Sequence, residues 1–241
     1  MVNYESAIKK PFTDVAKLII GAIVSIIPIV NWIATGYALE SSGLGKTKTS
    51  KKMPEWKNIG NLFIKGFASY VIGFVYALPA LIVFVAGAGF AATSLMNSYV
   101  GTVIPQDMIS SLIAGETSPE VVAQLVSQNW YLAIPTLVTL APILLAGAIL
   151  MIIARFVTPM AVLNYLKNKS FTKAFDIGTV SKKAFTMRYF TVWIVAAIVT
   201  FVATLLLSLI PWVGAPIAVF VSGVITYSMY GDVYRETKAR R

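Results

Sequence analysis

Four long stretches of the chain contain no Asp, Glu, Lys or Arg, and they constrain its fold more than any other feature. A helix needs about 20 apolar residues to cross the hydrocarbon layer of a bilayer. Only 12% of the 241 residues are charged, against roughly 25% in an average soluble domain. The sequence therefore predicts an all-α, polytopic integral membrane helical bundle, with residues 1–241 as a single membrane domain. The charge-free stretches are Leu18–Leu39, Gly66–Gln106, Val121–Ala154 and Tyr189–Gly231.

The last of these stretches is long enough for two crossings. Pro211 and Gly214 interrupt it midway, and this pair is a turn signal. We predict helices over Tyr189–Leu209 and Ala215–Tyr234, joined by a turn at Ile210–Ala215. The two middle stretches predict one helix each, near Phe67–Ala92 and Tyr131–Tyr165, with an extracytoplasmic loop over residues 97–129 between them.

The first stretch has basic residues on both sides. Lys9, Lys10 and Lys17 precede it, and six lysines from Lys46 to Lys65 follow it. Because the positive-inside rule places both flanks in the cytoplasm, we expect a short or re-entrant hairpin that turns at Pro28–Asn31. A single crossing is the alternative. With the hairpin, the chain has about six membrane helices.

The remaining charges predict the orientation. Residues 66–154 contain no Lys or Arg, whereas basic residues return from Arg155 onward. With the hairpin, all twenty cations fall on one face, so we expect a multi-pass protein of the cell membrane with both termini cytoplasmic. Residues 46–65 and 167–188 alternate lysines with aromatic and aliphatic residues, which predicts two amphipathic cytoplasmic elbows.

The two elbows resemble each other. Asn58–Phe67 and Asp176–Phe185 share Ile, Gly, Lys and Phe at the same offsets. Such similarity predicts a parallel internal repeat related by an axis along the membrane normal, an arrangement that some transporters use. Chance similarity is the alternative.

Five cations near the predicted cytoplasmic face are candidates for contact with the phosphates of anionic lipid headgroups. Arg155 follows an apolar helix directly, and the other four lie in the second elbow. Snorkelling side chains and simple topological anchoring explain the same charges without a ligand. A nucleic-acid partner is not expected, because the positive-inside rule already accounts for the basic balance. The five residues are Arg155, Lys167, Lys169, Lys183 and Arg188.

The chain offers little for catalysis. It has no His and no Cys, and its outer loop carries only Asp107, Glu116 and Glu120 as acids. We therefore expect no enzymatic activity, no cofactor and no metal site. The first functional hypothesis is a membrane protein that acts through a protein partner, a homo-oligomer or the organisation of the bilayer. The alternative is a carrier of a lipid or small apolar molecule, suggested by the repeat and by the prolines within the helices.

Four motifs point to a known family. They are IIPIVNWIATGY at residues 26–37, MPEWKNIGNLFIKGF at 53–67, TPMAVLNYLKNKSFTKAFDI at 158–177 and YGDVYRE at 230–236. Together they resemble a mostly archaeal family of polytopic membrane proteins defined by domain of unknown function 4013. The resemblance implies a membrane location and a helical fold. It carries no activity and no catalytic residues.

Overall fold

The computed structural model describes residues 2–44 and 52–236 of the chain, and every regular element in these residues is helical. Residues 46–51 and 238–241, on which part of the predicted orientation depends, lie outside the described residues. Short 3₁₀ helices precede α2, α7 and α8. The α-helices are α1 (Tyr4–Lys9), α2 (Val15–Ile26), α3 (Asn31–Glu40), α4 (Ile59–Tyr99), α5 (Gln106–Ile113), α6 (Pro119–Gln128), α7 (Ile134–Asn168), α8 (Ile177–Ala184), α9 (Met187–Leu207) and α10 (Gly214–Glu236).

Four helices in the described residues are long and apolar enough to cross a membrane. They are α4, α7 with the 3₁₀ turn before it, α9 and α10. The all-helical prediction is confirmed, and the length and composition of these helices indicate a membrane protein. About six crossings are not confirmed, because α2 and α3 have only 12 and 10 residues.

The predicted carboxy-terminal hairpin is confirmed. Helix α9 begins after Thr186, whose hydroxyl oxygen accepts a hydrogen bond from the Tyr189 N–H at 3.2 Å. The chain turns between Leu207 and Gly214, where Trp212 is 96% exposed and has a φ of 66°. Gly214 permits this tight turn, because an added Cβ would collide with the carbonyl oxygen of Leu207. The antiparallel helices α9 and α10 follow from this turn.

The predicted break in the first apolar stretch is also confirmed. Asp14 caps α2 by accepting a hydrogen bond from the Lys17 N–H at 3.1 Å. The chain turns over residues 27–30, where Ile29 has a φ of 70°, and α3 starts at Asn31. The two helices are about 18 and 15 Å long at 1.5 Å per residue, shorter than the hydrocarbon layer. Entry and exit by one membrane face stays a prediction.

The elbows are not confirmed as a matched pair. Helix α4 begins at Ile59 rather than near Phe67, so residues 59–65 form its first turns. This extension is stabilised because Leu62 is buried and Lys65 forms an ion pair with Glu40 of α3. Residues 167–188 instead contain the end of α7, a 3₁₀ helix, α8 and the start of α9.

The internal repeat is not confirmed either. Asn58 and Asp176 occupy aligned positions, and each accepts a hydrogen bond at the start of a helix, from Asn61 N and Thr179 N. The helices then differ, since α4 continues for 41 residues whereas α8 ends after 8 residues at Ala184. The aligned motif is a helix start in both places, and a helix start alone does not make a repeat.

The chain divides into two compact units, one of residues 1–76 and 155–241 and one of residues 77–154. In the first unit, α3 packs between α4 and α10 and the buried core surrounds it. In the second unit, parts of α4 and α7 run antiparallel, with Gly147 against the ring of Phe84 and the hydroxyls of Ser94 and Thr136 at 2.7 Å. Small residues permit such close helix packing in membranes.

Candidate ligand-binding cavity

Three of the five cations predicted to contact lipid phosphate surround the last turn of α10. Lys183 Nζ donates a hydrogen bond to the carbonyl oxygen of Tyr234 at 3.1 Å and lies 3.9 Å from the centroid of its ring. Lys167 Nζ is 5.6 Å from the same centroid, and Arg188 pairs with Glu236 at 2.6 Å. Because cations stabilise the carboxyl end of a helix, these residues help to fix α10. Their contact with lipid phosphate stays a prediction.

The other two predicted cations, Arg155 and Lys169, are exposed. Neither forms an ion pair or hydrogen bond with the described part of the chain. Lys169 follows the end of α7 with a φ of 53°, which ends that helix. The structure therefore leaves these two side chains accessible to an anion.

A further polar cluster fixes the carboxyl end of α3. Lys10 Nζ donates a hydrogen bond to the carbonyl oxygen of Ser41 at 2.8 Å, and the Ser228 hydroxyl oxygen lies 3.2 Å from the same carbonyl oxygen. Arg235 donates to the carbonyl oxygen of Ser42 at 2.6 Å. Lys10 is 5% exposed, and burial lowers its pKa to about 8. Sequence reasoning missed this cluster because nothing near Lys10 distinguishes it from a topological charge.

A cavity of about 370 Å³ lies within the first unit, between the α2–α3 hairpin and α10. We call it the hairpin cavity. From α3 it is bounded by Asn31, Ala34, Thr35 and Ala38, whose spacing of three and four residues places them on one helix face. Binding pockets for small molecules commonly measure about 300–1,000 Å³, so this cavity is large enough for a ligand.

The wall from α10 is a second helix face. Ala215, Val219, Gly223 and Tyr227 follow one another at four-residue intervals, a distance of about 18 Å along the helix at 1.5 Å per residue. Ala215 and Val219 are exposed on the protein surface. The cavity is therefore open at the side of α10.

Small residues create the space between α3 and α10. At Gly223 an added Cβ would lie 3.3 Å from the Cβ of Ala38, so the two helices approach closely at this point. Ala34, one turn earlier on α3, and Ala215, two turns earlier on α10, have only a methyl group to fill the gap. Larger side chains at these positions would remove the cavity.

The remaining wall is aromatic and fixed. The ring of Phe220 occupies the space above Gly21 of α2, where any side chain would collide with it. Phe220 lies 5.8 Å from Tyr37 between ring centroids, and Tyr37 stacks on Trp56 at 4.0 Å. Tyr37 and Trp56 each donate a hydrogen bond to the backbone, at 2.6 and 3.3 Å. These contacts keep Phe220 in place without a ligand.

Four polar side chains line the hairpin cavity. The hydroxyls of Thr35 and Ser25 donate to the carbonyl oxygens of Asn31 and Gly21, at 3.2 and 2.6 Å. Asn31 Oδ1 is buried and has no hydrogen-bond partner in the described residues. The hydroxyl of Tyr227 likewise has no hydrogen bond to the described residues. None of the lining residues is acidic or basic, so the arrangement offers shape and hydrogen bonding for a neutral ligand.

No sequence signal identified this cavity. In the sequence, Asn31 is only the last residue of a predicted turn, and the alanines of α3 resemble those of any membrane helix. In the described residues, no three acidic side chains are grouped so that they could hold a metal ion.

A family model described as "Protein of unknown function (DUF4013)" matches residues 20–212. The match includes α3 and most of α2, whereas the cavity residues of α10 lie just beyond it. No curated protein and no solved structure matches the chain.

Proposed function

Since the chain belongs to the DUF4013 family, whose function is unknown, we propose a function from its geometry: it is a non-enzymatic membrane protein that binds a lipid or small apolar molecule of the bilayer. The hairpin cavity is the binding site. One observation carries the proposal, namely a cavity of about 370 Å³ that is walled mainly by apolar residues and open at the side of α10.

The side opening supports a ligand that enters from the membrane. Helix α10 is long and apolar enough to cross a bilayer, and Val219 at the opening is exposed. A molecule dissolved in the hydrocarbon layer can reach the cavity there without passing through water. Burial of its apolar surface against protein replaces contact with lipid, so affinity depends on packing and hydrogen bonds.

Filling the cavity tests this proposal. Ala34→Leu adds a branched side chain at a buried wall position, whereas Ala197→Leu makes the same change on the exposed side of α9. We expect native mass spectrometry of the detergent-purified protein to find one saturable adduct of methyl decyl ether or decanol per chain. Ala34→Leu should lose this adduct, and Ala197→Leu should keep it. Equal adducts in both variants would contradict the proposal.

Transport is the further step of the carrier hypothesis. Proteoliposomes that contain the wild-type protein should move the bound compound between leaflets faster than empty liposomes, and Ala34→Leu should not. Binding without such movement would leave the protein a membrane receptor or store for its ligand and would exclude the carrier.

Interaction with a protein partner or a second copy is the second candidate. Helices α5 and α6 bury none of their residues, and Ile113 at the end of α5 is 82% exposed. A partner that covers these helices would bury this surface. Purification in mild detergent should then yield an assembly larger than one chain, and a protein that is repeatedly monomeric and alone would count against it.

Anionic lipid headgroups are proposed ligands of the exposed cations. Arg155 and Lys169 are accessible, and an arginine fork suits a phosphate group. Replacing both residues by Gln should reduce the phosphatidylglycerol that copurifies with the protein. Unchanged copurification would favour the snorkelling explanation.

The membrane orientation is proposed from the charges. By this proposal both termini, residues 46–65 and residues 167–188 face the cytoplasm, and residues 97–129 face outward. Because the chain has no Cys, single cysteines at Ser50 and Ser118 can be labelled from either side. Labelling of both from the same side would contradict this orientation.

A further inference from the structure

Helices α5 and α6 carry the same amphipathic pattern. DMISSLI at residues 107–113 and EVVAQLV at residues 120–126 each consist of an acidic residue, two apolar residues, two small or polar residues and two apolar residues. Each segment lies within one α-helix. At 3.6 residues per turn, the four apolar side chains of each helix fall on one face and its acidic side chain falls on the opposite face.

The protein leaves these apolar faces open. Neither helix has a buried residue, and both lie wholly within the described part of the chain. Ile113 of α5 is 82% exposed, and Val121 and Val126 of α6 are exposed as well. Open apolar faces on two matching amphipathic helices are typical of an interaction surface.

Asn129 connects the end of α6 to both neighbouring membrane helices. Its carbonyl oxygen accepts a hydrogen bond from the hydroxyl of Tyr99, the last residue of α4, at 3.0 Å. Its Oδ1 accepts one from the hydroxyl of Tyr131, at the start of α7, at 3.2 Å. Its Nδ2 donates to the carbonyl oxygen of Leu125 in α6 at 2.9 Å. The end of α6 is therefore held where α4 ends and α7 begins, within one compact unit.

Two aromatic side chains next to Asn129 indicate the level of the lipid headgroups. Trp130 is 64% exposed and Tyr131 is exposed too, and Trp and Tyr are enriched at membrane–water interfaces. Leu137 and Val138, in the first turns of α7, continue the exposed apolar surface into a helix that can cross a membrane. The apolar face of α6 thus begins beside a surface that lipid covers. A protein partner would not account for this continuity.

The charges of the segment indicate which lipids suit it. Residues 66–154 contain no Lys or Arg, whereas Asp107, Glu116 and Glu120 are exposed. Interfacial helices that bind anionic membranes carry Lys and Arg on their polar face. Acidic side chains are instead repelled by anionic headgroups.

We infer that α5 and α6 lie on the surface of the bilayer, where their apolar faces contact the acyl chains of lipids whose headgroups have no net charge. Ile113, Val121 and Val126 enter the boundary between headgroups and hydrocarbon, and the acidic residues face water. This interaction surface is separate from the hairpin cavity, and neither assignment depends on the other.

Spin labels can test this placement because the chain has no Cys. The full-length protein is placed in phosphatidylcholine nanodiscs, and electron paramagnetic resonance measures how often each label collides with oxygen, which is concentrated in hydrocarbon, and with a water-soluble nickel chelate. Two labels lie on the apolar faces, two matched controls lie on the exposed polar faces of the same helices, and one reference lies on α7. The variants are Ile113→Cys, Val126→Cys, Ser110→Cys, Ser127→Cys and Val138→Cys.

We expect the oxygen-to-nickel collision ratio at Ile113 and Val126 to lie closer to the ratio at Val138 than to the ratios at Ser110 and Ser127. Replacing phosphatidylcholine by phosphatidylglycerol should leave the ratio at Ile113 unchanged or lower it. Equal circular dichroism spectra of the five labelled proteins show that all of them are folded.

Equal ratios on the apolar and polar faces would place both helices in water and overturn the inference. Labels at Ile113 and Val126 that neither reagent reaches would identify a protein partner or a second copy as the occupant, which also overturns it. A ratio at Ile113 that rises in phosphatidylglycerol would overturn the assignment to uncharged headgroups.

Discussion

The contact between α3 and α4 predicts that one methyl group at Gly36 destabilises the protein. An added Cβ at Gly36 would lie well inside 3.0 Å of the carbonyl oxygen of Leu62, and one at Gly66 would do the same to the carbonyl oxygen of Trp32. Both obstructing atoms belong to the backbone, so they cannot rotate away as a side chain could. The two helices must separate to accommodate Gly36→Ala.

The size of the effect follows from two opposing contributions. Overpacking a close contact lowers the free energy of unfolding by about 1–3 kcal/mol. Replacing Gly by Ala within a helix raises it by about 1 kcal/mol, because Ala favours the helix more than Gly does. Because backbone atoms obstruct the new methyl group, the upper part of the first range applies, and the net loss is about 2 kcal/mol. For a chain of this size, that loss lowers the melting temperature by about 4–8 °C.

Gly60→Ala is the matched control, since an added Cβ at Gly60 of α4 meets no atom within 4 Å. Thermal unfolding in detergent, followed by circular dichroism, should show a lower melting temperature for Gly36→Ala and an equal or higher one for Gly60→Ala. The double variant Gly36→Ala/Gly66→Ala should lose less than the sum of its parts, because one separation of the helices accommodates both methyl groups. If Gly36→Ala melts like Gly60→Ala, the close packing of α3 on α4 is wrong.

Three further predictions concern caps, charge and the turn. Thr186→Ala removes the cap of α9 and should lower the free energy of unfolding, measured by denaturant titration, by about 1 kcal/mol. Thr186→Ser keeps the hydroxyl and should lower it little, so equal losses in the two variants would exclude a capping role. Burial lowers the pKa of Lys10 from 10.5 to about 8. Between these pH values the unfolded state therefore binds more protons than the folded state. The free energy of unfolding of the wild type should rise from pH 8 to 10.5 relative to that of Lys10→Met. Parallel pH profiles of wild type and Lys10→Met would contradict the burial of this amine. Val213→Lys at the turn should be tolerated. Val221→Lys at a buried position of α10 should prevent stable membrane insertion, because a cation at mid-membrane costs about 2.5–3.5 kcal/mol. Equal expression of the two variants would mean that the turn is misplaced.

The carboxy-terminal hairpin was predictable from the sequence because its signals are local. A charge-free stretch of twice the required length must turn, and Pro211 with Gly214 is the strongest break within it. The observed ends, Leu207 and Gly214, lie within two residues of the predicted ones. The break at residues 27–30 was found for a similar reason, from lysines on both sides and a proline between them.

Other features depend on contacts between distant parts of the chain. Helix α4 starts earlier than predicted because Lys65, which was counted as a flanking charge, pairs with Glu40. The charge pattern predicts Lys10 at the cytoplasmic interface, whereas the structure buries it against the end of α3.

The hairpin cavity could not be predicted for the same reason. It requires α3 to lie beside α10, although Ser41 at the end of α3 and Ser228 of α10 are 187 positions apart in the chain. An alanine or glycine in a membrane helix does not reveal whether it faces lipid, a neighbouring helix or a void. The buried oxygen of Asn31 becomes visible as unpartnered only when its surroundings are known.

Photolabelling tests most directly whether the hairpin cavity is a binding site. The protein in phosphatidylcholine nanodiscs is irradiated with a decanol analogue that carries a diazirine on its chain, and the labelled peptides are mapped by mass spectrometry. We predict that label concentrates in residues 31–38 and 215–227 and disappears when excess decanol is added. Label that instead spreads over the exposed side of α9, with no response to decanol, would contradict the account.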